Sequence, residues 1–486
     1  MLKHTVEYNH AMKNKIYRFR SINSLLGEFN ELETQSIFFA APEDLNDPME
    51  GFRDIYWSGD IIVWRNLFKH YLLCLEHVCS LLLISGEKHT ISVHDIPIFS
   101  NEDDYPTQKY KDLFTDISTH FFSNNYILSL IEAISKRTVR RDELVFYLKA
   151  IHNLALESIF SQYEKNGLIP LRETSNFDVE KPIVDLLEKN FFSFMDDENS
   201  FNINDKKRIN ALFSAFLHTN SQIDLIHRYN GIINDDTKNK NLVFFEFVEK
   251  YITLLEKLIY PEWYTACFMS ECYNSSVWGH YGHNHTGACL IFNIESDDNN
   301  NILSLKRKNG YSSTSGPTYG FVKHKFYPID YKNGYGEIDF FRMLGRLPIP
   351  KLNSTWYTFD GEISICADNM LKSEDKWRES YWNNFYRDIT IKTKDWEYEN
   401  EHRLVLSSSL FDFSERKDRV LTYDFNSLQG IIFGIKTKTE DKIKIMKVIE
   451  NKCGENSRAD FKFYQAYYSP ENKQIEHYEM TLLTLA

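Results

Sequence analysis

Glu397, Glu399 and Glu401 occupy alternate positions in the run 394–403, just ahead of the apolar residues Leu404, Val405 and Leu406. An extended backbone would aim all three carboxylates to one side, where stacked like charges repel and raise one another's pKa values. Two uses fit that pattern. One is an open, solvated strand end; the other is a site where a carboxylate binds a hydroxyl or faces a developing cation. A di-metal carboxylate centre would need a second Asp/Glu cluster at matching spacing, and the chain shows none.

A second group is Tyr17, Arg18, Phe19, Arg20 and Ser21. Strand alternation places Arg18 and Arg20 on one face, with Tyr17 and Phe19 on the other. Ser21 then offers a hydroxyl cap to a short helix. Two guanidiniums beside a helix N-terminus suit a pyrophosphate, because Arg forms paired bonds to phosphate. Surface arginines paired with carboxylates are the alternative. Downstream, Asn46 and Asp47 sit with Pro48 in a segment dense in turn formers, where Asn and Asp can bond their own backbone.

The third group is Trp278, His280, Tyr281, His283 and His285, interleaved with Gly279, Gly282 and Gly287. Aromatic rings among glycines make a flat wall for stacking on a ligand ring, or an aromatic corner that packs a sheet edge. Three histidines within six residues raise zinc. No carboxylate or cysteine falls at a matching offset, so no metal site is expected.

These groups need strands and turns to position them. Strand patterns cover residues 16–19, 36–40, 265–270, 288–293, 323–331, 401–407, 430–435 and 460–468. A helical pattern at 441–451 makes the C-terminal part strand–helix–strand. Residues 306–317, polar and Gly/Ser-rich, read as loop. Between them, segments 64–83, 142–163, 206–229 and 242–260 carry apolar residues at helical spacing, separated by polar linkers at 100–107, 197–206 and 234–241. The expected organisation is α+β: residues 1–55 and 261–486 form one mixed-sheet domain, split by an all-helical insertion at 56–260.

The chain has 486 residues and a formal net charge of -13, which argues against broad attraction to nucleic acid or an anionic membrane. Its 7 cysteines form no CxxC pair and read as reduced thiols. The first fifteen residues lack an apolar signal core, and charged and histidine side chains interrupt the apolar stretch 61–85. A cytoplasmic protein without a membrane span is expected. The common phosphate-loop, dinucleotide, zinc-protease and hydrolase signatures are absent.

Taken in order, the three groups resemble the bacterial family catalogued as domain of unknown function 2971. The resemblance rests on residues 17–21, on Leu45-Asn46-Asp47-Pro48, on residues 267–271 and 278–287, on 396–403 and on 431–434. Leu45 departs from the usual Phe, and Met269 is an extra residue. The helical block 56–260 lies outside it. The layout is also similar to an ADP-ribosyltransferase: Arg on a first strand, an aromatic on a middle one and Glu on a late one. The resemblance implies an ADP-ribosyltransferase-like mixed sheet that takes NAD as substrate. Glu399 would stabilise the ribosyl cation, with Glu401 and Glu397 as alternates. Arg18, Arg20 and Ser21 would hold the pyrophosphate, Asn46 and Asp47 the adenosine side, and Trp278, His280 and Tyr281 the nicotinamide. It further implies an effector of anti-phage defence, with a protein or nucleic-acid acceptor and a partner protein on the helical insertion. A nucleotide- or phage-sensing binding module and a metal-dependent nuclease are the competing expectations.

Overall fold

A computed structural model of the chain describes residues 14–172, 178–188, 192, 203–298, 300–408 and 411–482. The segment before residue 14 and most of the 197–206 linker lie outside these residues. The chain is a mixed α/β protein that divides into two compact units.

The first unit comprises Met1–Phe52, Pro261–Tyr335 and Tyr386–Ala486. Its main sheet has eight strands: β1 (Lys15–Arg20), β2 (Trp263–Met269), β3 (Ala288–Asn293), β4 (Tyr327–Pro328), β5 (Glu401–Ser407), β6 (Leu428–Phe433), β7 (Lys462–Ser469) and β8 (Gln474–Glu479). They lie in the order β4-β5-β2-β1-β3-β6-β7-β8. All neighbours are antiparallel except β6 and β7. That parallel pair is joined by helix α3 (Thr439–Glu455), as a parallel crossover requires. Two shorter helices, α1 (Ile22–Leu26) and α2 (Ser275–His280), follow β1 and β2 respectively. They are capped by Ser21 and Asn274, whose side chains accept backbone N–H bonds.

The strands bury apolar residues on both faces. One core gathers Ile16, Phe268, Leu290, Phe292, Leu404, Ile431 and Ile445. The other, smaller, gathers Phe19, Met269, Trp278, Cys289 and Ile432. Alternation along β1 thus sends Phe19 to the second core and leaves Arg18 over the ring of Phe268 in the first, 5.3 Å from its centroid. A further sheet in this unit pairs Val420–Tyr423 with Ser36–Phe38 on one side and Asn300–Ser312 on the other. Asn300–Ser312 in turn forms a long hairpin with Gly316–Lys325. Residues 306–317, read as loop from their polarity, are therefore largely strand. The hairpin ladder pairs their backbone groups, and most of their polar side chains face solvent, Arg307 excepted, which lies over Phe411 and Phe413. Ser313, Thr314 and Ser315 form its exposed tip.

The second unit comprises Arg53–Tyr260 and Gly336–Phe385. Its helices include Ile61–Ser85, Gln108–Phe122, Asn125–Ser135, Arg141–Lys165, Ile203–Tyr229 and Phe247–Leu255. Two features differ from the expected all-helical insertion at 56–260. The unit takes in residues 336–385 as well, and it contains a small sheet in which Asp54–Trp57 lies between Glu337–Asp339 and Val139–Arg140. Strand Glu337–Asp339 runs parallel to Asp54–Trp57, so this distant segment is bound by backbone pairing that no local pattern announces. Helix Ile61–Ser85 is long and apolar enough to cross a membrane by length and composition alone. Its Trp64, Leu67, Phe68, Tyr71, Leu72 and Leu75 are buried inside the unit. Core packing explains that apolar character.

Candidate active site

The main sheet opens between β1 and β2. These strands meet in register at Tyr17 and Met269. Arg18, Phe19 and Arg20 then continue along β3, opposite Leu290, Cys289 and Ala288. Thr265 of β2 instead exchanges backbone bonds with Ala40, at 2.8 and 2.9 Å. The parted strands leave a cavity of about 300 Å³ lined by Arg18, Arg20, Ser21, Asn46, Glu50, Cys267, His280, Tyr281, His283 and Lys392, among others.

Arg18 is, with Lys392, one of its two buried cations. Its Nη2 donates to the Phe38 carbonyl at 3.3 Å, and its Nη1 is buried without a hydrogen-bond partner. Burial, then the nearby Arg20, lowers its pKa to about 10, so it stays charged at neutral pH. Arg20 is already engaged: its Nε donates to Glu31 Oε2 at 2.7 Å, and its Nη2 to Glu31 Oε1. Ser21 caps α1 through Ser24 N–H. Asn46 reaches the cavity, whereas Asp47 is buried and uses Oδ1 to accept from Met49 N–H.

The glutamates are arranged differently from an extended ladder. Lys394–Glu399 coils into a tight helical turn, and Asn400 closes it in the left-handed conformation at φ 46°. Only Glu401 begins the strand. Left-handed backbone is tolerated by Asn, whose short side chain bonds locally. This turn separates the three carboxylates. Glu397 is exposed, while Glu399 and Glu401 are both buried and converge on one ammonium. Lys392 Nζ donates to Glu399 Oε2 at 2.7 Å and to Glu401 Oε2 at 3.2 Å, and lies 3.5 Å from Glu50 Oε1. Arg403, fully buried, donates to Glu401 Oε1 at 2.8 Å, Glu50 Oε1 at 2.5 Å and the Ile389 carbonyl at 2.9 Å.

The network thus holds three carboxylates and two cations away from water. Burial raises the Glu401 pKa, but Arg403 and Lys392 more than reverse this and hold it at about 2. Glu399 is shifted the other way. Burial outweighs its bond to Lys392, so its pKa lies above the usual 4.5. Burial lowers the Lys392 pKa, yet its carboxylate neighbours keep it above the ordinary value. Glu399 Oε1 accepts from the Tyr281 hydroxyl at 2.9 Å. Tyr281 and Lys392 both line the cavity, so the acidic network communicates with it through these two side chains and Glu50.

The turn after α2 fixes Tyr281. His283, Asn284 and His285 all have positive φ (49°, 54° and 67°), a run of left-handed residues that costs backbone energy. It is tied down by Gly287, which approaches β1 closely; a Cβ there would meet the Arg20 carbonyl oxygen at 2.3 Å. His280 lines the cavity and its Nδ1 is 3.1 Å from the Tyr398 hydroxyl. Trp278 points elsewhere: it is buried in the second core, edge-on to Phe19, and donates to the Cys272 carbonyl at 2.8 Å. Among the described residues, no group of three or more His, Cys, Asp or Glu could hold a metal ion. Arg403 and Cys267 fall within the segments 396–403 and 267–271 that carry the resemblance but receive no role from sequence, and Lys392 and Glu50 receive none either. A lone Lys or Cys carries no pattern, and Glu50 is hidden in a turn-forming segment.

Residues 277–404 match the model of a family described as Protein of unknown function (DUF2971), so its match spans most of α2, the Tyr281 turn and the glutamate turn. Comparison with curated proteins and with solved structures returns no match.

Proposed function

We propose that this chain consumes NAD, as an ADP-ribosyltransferase or an NAD glycohydrolase. The observation that carries the reading is the parted sheet. It places Arg18, which has one nitrogen without a hydrogen-bond partner, on the wall of one cavity, with Tyr281 and Lys392 also on its walls and Glu399 directly behind those two. A pyrophosphate would take the free Arg18 donor, assisted by Arg20 and Ser21. Tyr281 and His280 would border the nicotinamide. The nicotinamide–ribose bond then breaks with its electron pair leaving on the nicotinamide nitrogen, and C1′ becomes oxocarbenium-like. Glu399 would exchange its bond from Tyr281 for one from a ribose hydroxyl and stabilise that cation. Water or a macromolecular acceptor would supply the incoming nucleophile. Glu401, locked by Arg403 and Lys392, would set the electrostatics rather than touch substrate. The sheet order, with the Arg strand beside β2 and β2 beside the Glu strand, supports an ADP-ribosyltransferase-like core. An effector role in bacterial anti-phage defence is proposed from the family resemblance.

One observation favours a second reading, a nucleotide-sensing binding module. Glu399 is buried, with both oxygens already bonded inside the protein. Incubating the purified chain with NAD and measuring free nicotinamide separates the two. Release that disappears in Glu399→Gln supports the enzyme. NAD or ADP-ribose binding without release supports the sensor.

A further inference from the structure

The hairpin Asn300–Ser312/Gly316–Lys325 carries a surface that the NAD reading does not use. From Ile302 to Lys325 the chain has Lys306, Arg307, Lys308, Lys323 and Lys325 and no Asp or Glu, in a protein with 69 acidic residues. Its cations are therefore concentrated against the trend of the chain. Register decides which of them share a face. Lys306 lies opposite Phe321, Lys308 opposite Tyr319, and Thr422 of the next strand opposite Lys306. Directly opposed residues point to the same side of a sheet. Lys306, Lys308, Tyr319, Phe321 and Thr422 thus form one face.

That face is open. Tyr319 is 59% and Phe321 55% exposed, a large apolar exposure for adjacent positions on one strand face. A groove of about 230 Å³ runs beside them, lined by Lys306, Arg307, Lys308, Tyr319 and Lys417, with Asp412 and Asp418 as its acids. Lys306, Lys308 and Lys417 thus face two carboxylates, whereas Arg307, paired with Gly320, turns to the other face over Phe411 and Phe413. Lys323 is excluded from this count because it pairs with Asp297 at 2.9 Å.

We infer that this hairpin face is a docking surface for single-stranded nucleic acid. Phosphodiesters match the excess of cations in the groove, and unpaired bases match the exposed rings. Residues two apart on a strand stand roughly 6.8 Å apart. That spacing accommodates one base between Tyr319 and Phe321 at the stacking distance of about 3.4 Å on each side. A flat face of rings between lysines suits bases better than an acidic peptide, which would satisfy the lysines and leave the rings uncovered. The face also leads toward the candidate site: the hairpin's outgoing strand passes through Phe326 into β4, which pairs with His402 and Arg403. The inference does not depend on NAD cleavage, and binding alone tests it.

The test is fluorescence anisotropy of the full chain with a labelled single-stranded oligonucleotide of mixed sequence, over a series of salt concentrations. The expected result is salt-dependent binding. Lys306→Glu/Lys308→Glu should weaken it about tenfold or more and reduce the salt slope by about 1.4, or roughly 0.7 per lost phosphate contact. Tyr319→Ala/Phe321→Ala should weaken it about tenfold with the slope preserved, since stacking releases no counterions. All four side chains lie on the surface, so unchanged melting temperatures should accompany both effects. Absence of binding at low salt would overturn the inference, as would equal affinity in both double variants. A labelled poly-glutamate peptide that binds as tightly and loses as much in both variants would assign the face to acidic protein instead.

Discussion

The Tyr281 hydroxyl donates to Glu399 Oε1 at 2.9 Å, joining a residue of the cavity wall to a carboxylate sealed from water. Under the proposed function, this bond makes Tyr281 the neighbour through which Glu399 would meet the ligand. Glu399→Gln preserves the shape and removes the charge. Nicotinamide release should fall about 10²–10³-fold, the usual loss for one preorganised electrostatic group. Tyr281→Phe should reduce it less, because it frees the Glu399 oxygen that the ribose is proposed to take. Chromatographic measurement of nicotinamide with both variants checks the order of effects. Equal rates in wild type and Glu399→Gln would remove Glu399 from the mechanism.

Lys392 is the shared counter-ion of Glu399 and Glu401. Replacing it with Met leaves Arg403 alone among three buried carboxylates. Breaking a buried pair by deleting one partner typically costs about 3–5 kcal/mol, since the remaining charge has no water to turn to. Lys392→Met should therefore lower the urea midpoint strongly. The double change Lys392→Met/Glu399→Gln should recover part of it. A midpoint unchanged in Lys392→Met would mean that the network contributes little to the fold.

Much of this site was legible, and the reasons for the rest are local. Alternation on β1 correctly separated Arg18 and Arg20 from Tyr17 and Phe19, because a paired strand must obey the two-residue period. Strand β5 was expected at 401–407 and is found there. The same period failed one step earlier, at Glu397 and Glu399, where the left-handed Asn400 interrupts the extended backbone. Asn is the residue that tolerates this conformation, so a signal existed in the sequence. Trp278 looked like a stacking surface but sits in the core, because helix α2 turns its ring edge-on to Phe19. Lys392 and Glu50 could not be found by spacing. Only the folded sheet brings residue 50 to residue 403.

Glu401 makes stability depend on pH in a defined direction. Its carboxyl titrates at about 2 against the usual 4.5. A depressed folded pKa contributes stability that is full above the unfolded value and is lost as pH falls through the folded one. The window is therefore pH 4.5 down to 2, and the shift corresponds to about 3 kcal/mol. Glu399, shifted upward, acts with the opposite sign: it favours the folded state as pH falls through its raised pKa, above 4.5. Denaturant unfolding across this range should show a steeper acid loss in wild type than in Glu401→Gln. Parallel curves for the two proteins would contradict the assignment of Arg403 and Lys392 as its stabilising partners.

Arg18 offers the sharpest separation between a structural and a ligand-binding role. Its Nη1 is buried with no partner, a state that costs free energy unless a ligand repays it. An incoming phosphate would supply a charge-assisted bond, worth about 10- to 100-fold in affinity. Arg18→Lys keeps the positive charge over Phe268 but loses the forked donor geometry. Its KM for NAD, and its Kd for ADP-ribose by calorimetry, should rise by that factor while thermal stability changes little. Arg20→Lys should have a smaller effect on binding, because Glu31 already occupies that guanidinium. If Arg18→Lys binds ADP-ribose as wild type does, the free nitrogen is not the phosphate donor and the ligand enters the cavity from another wall.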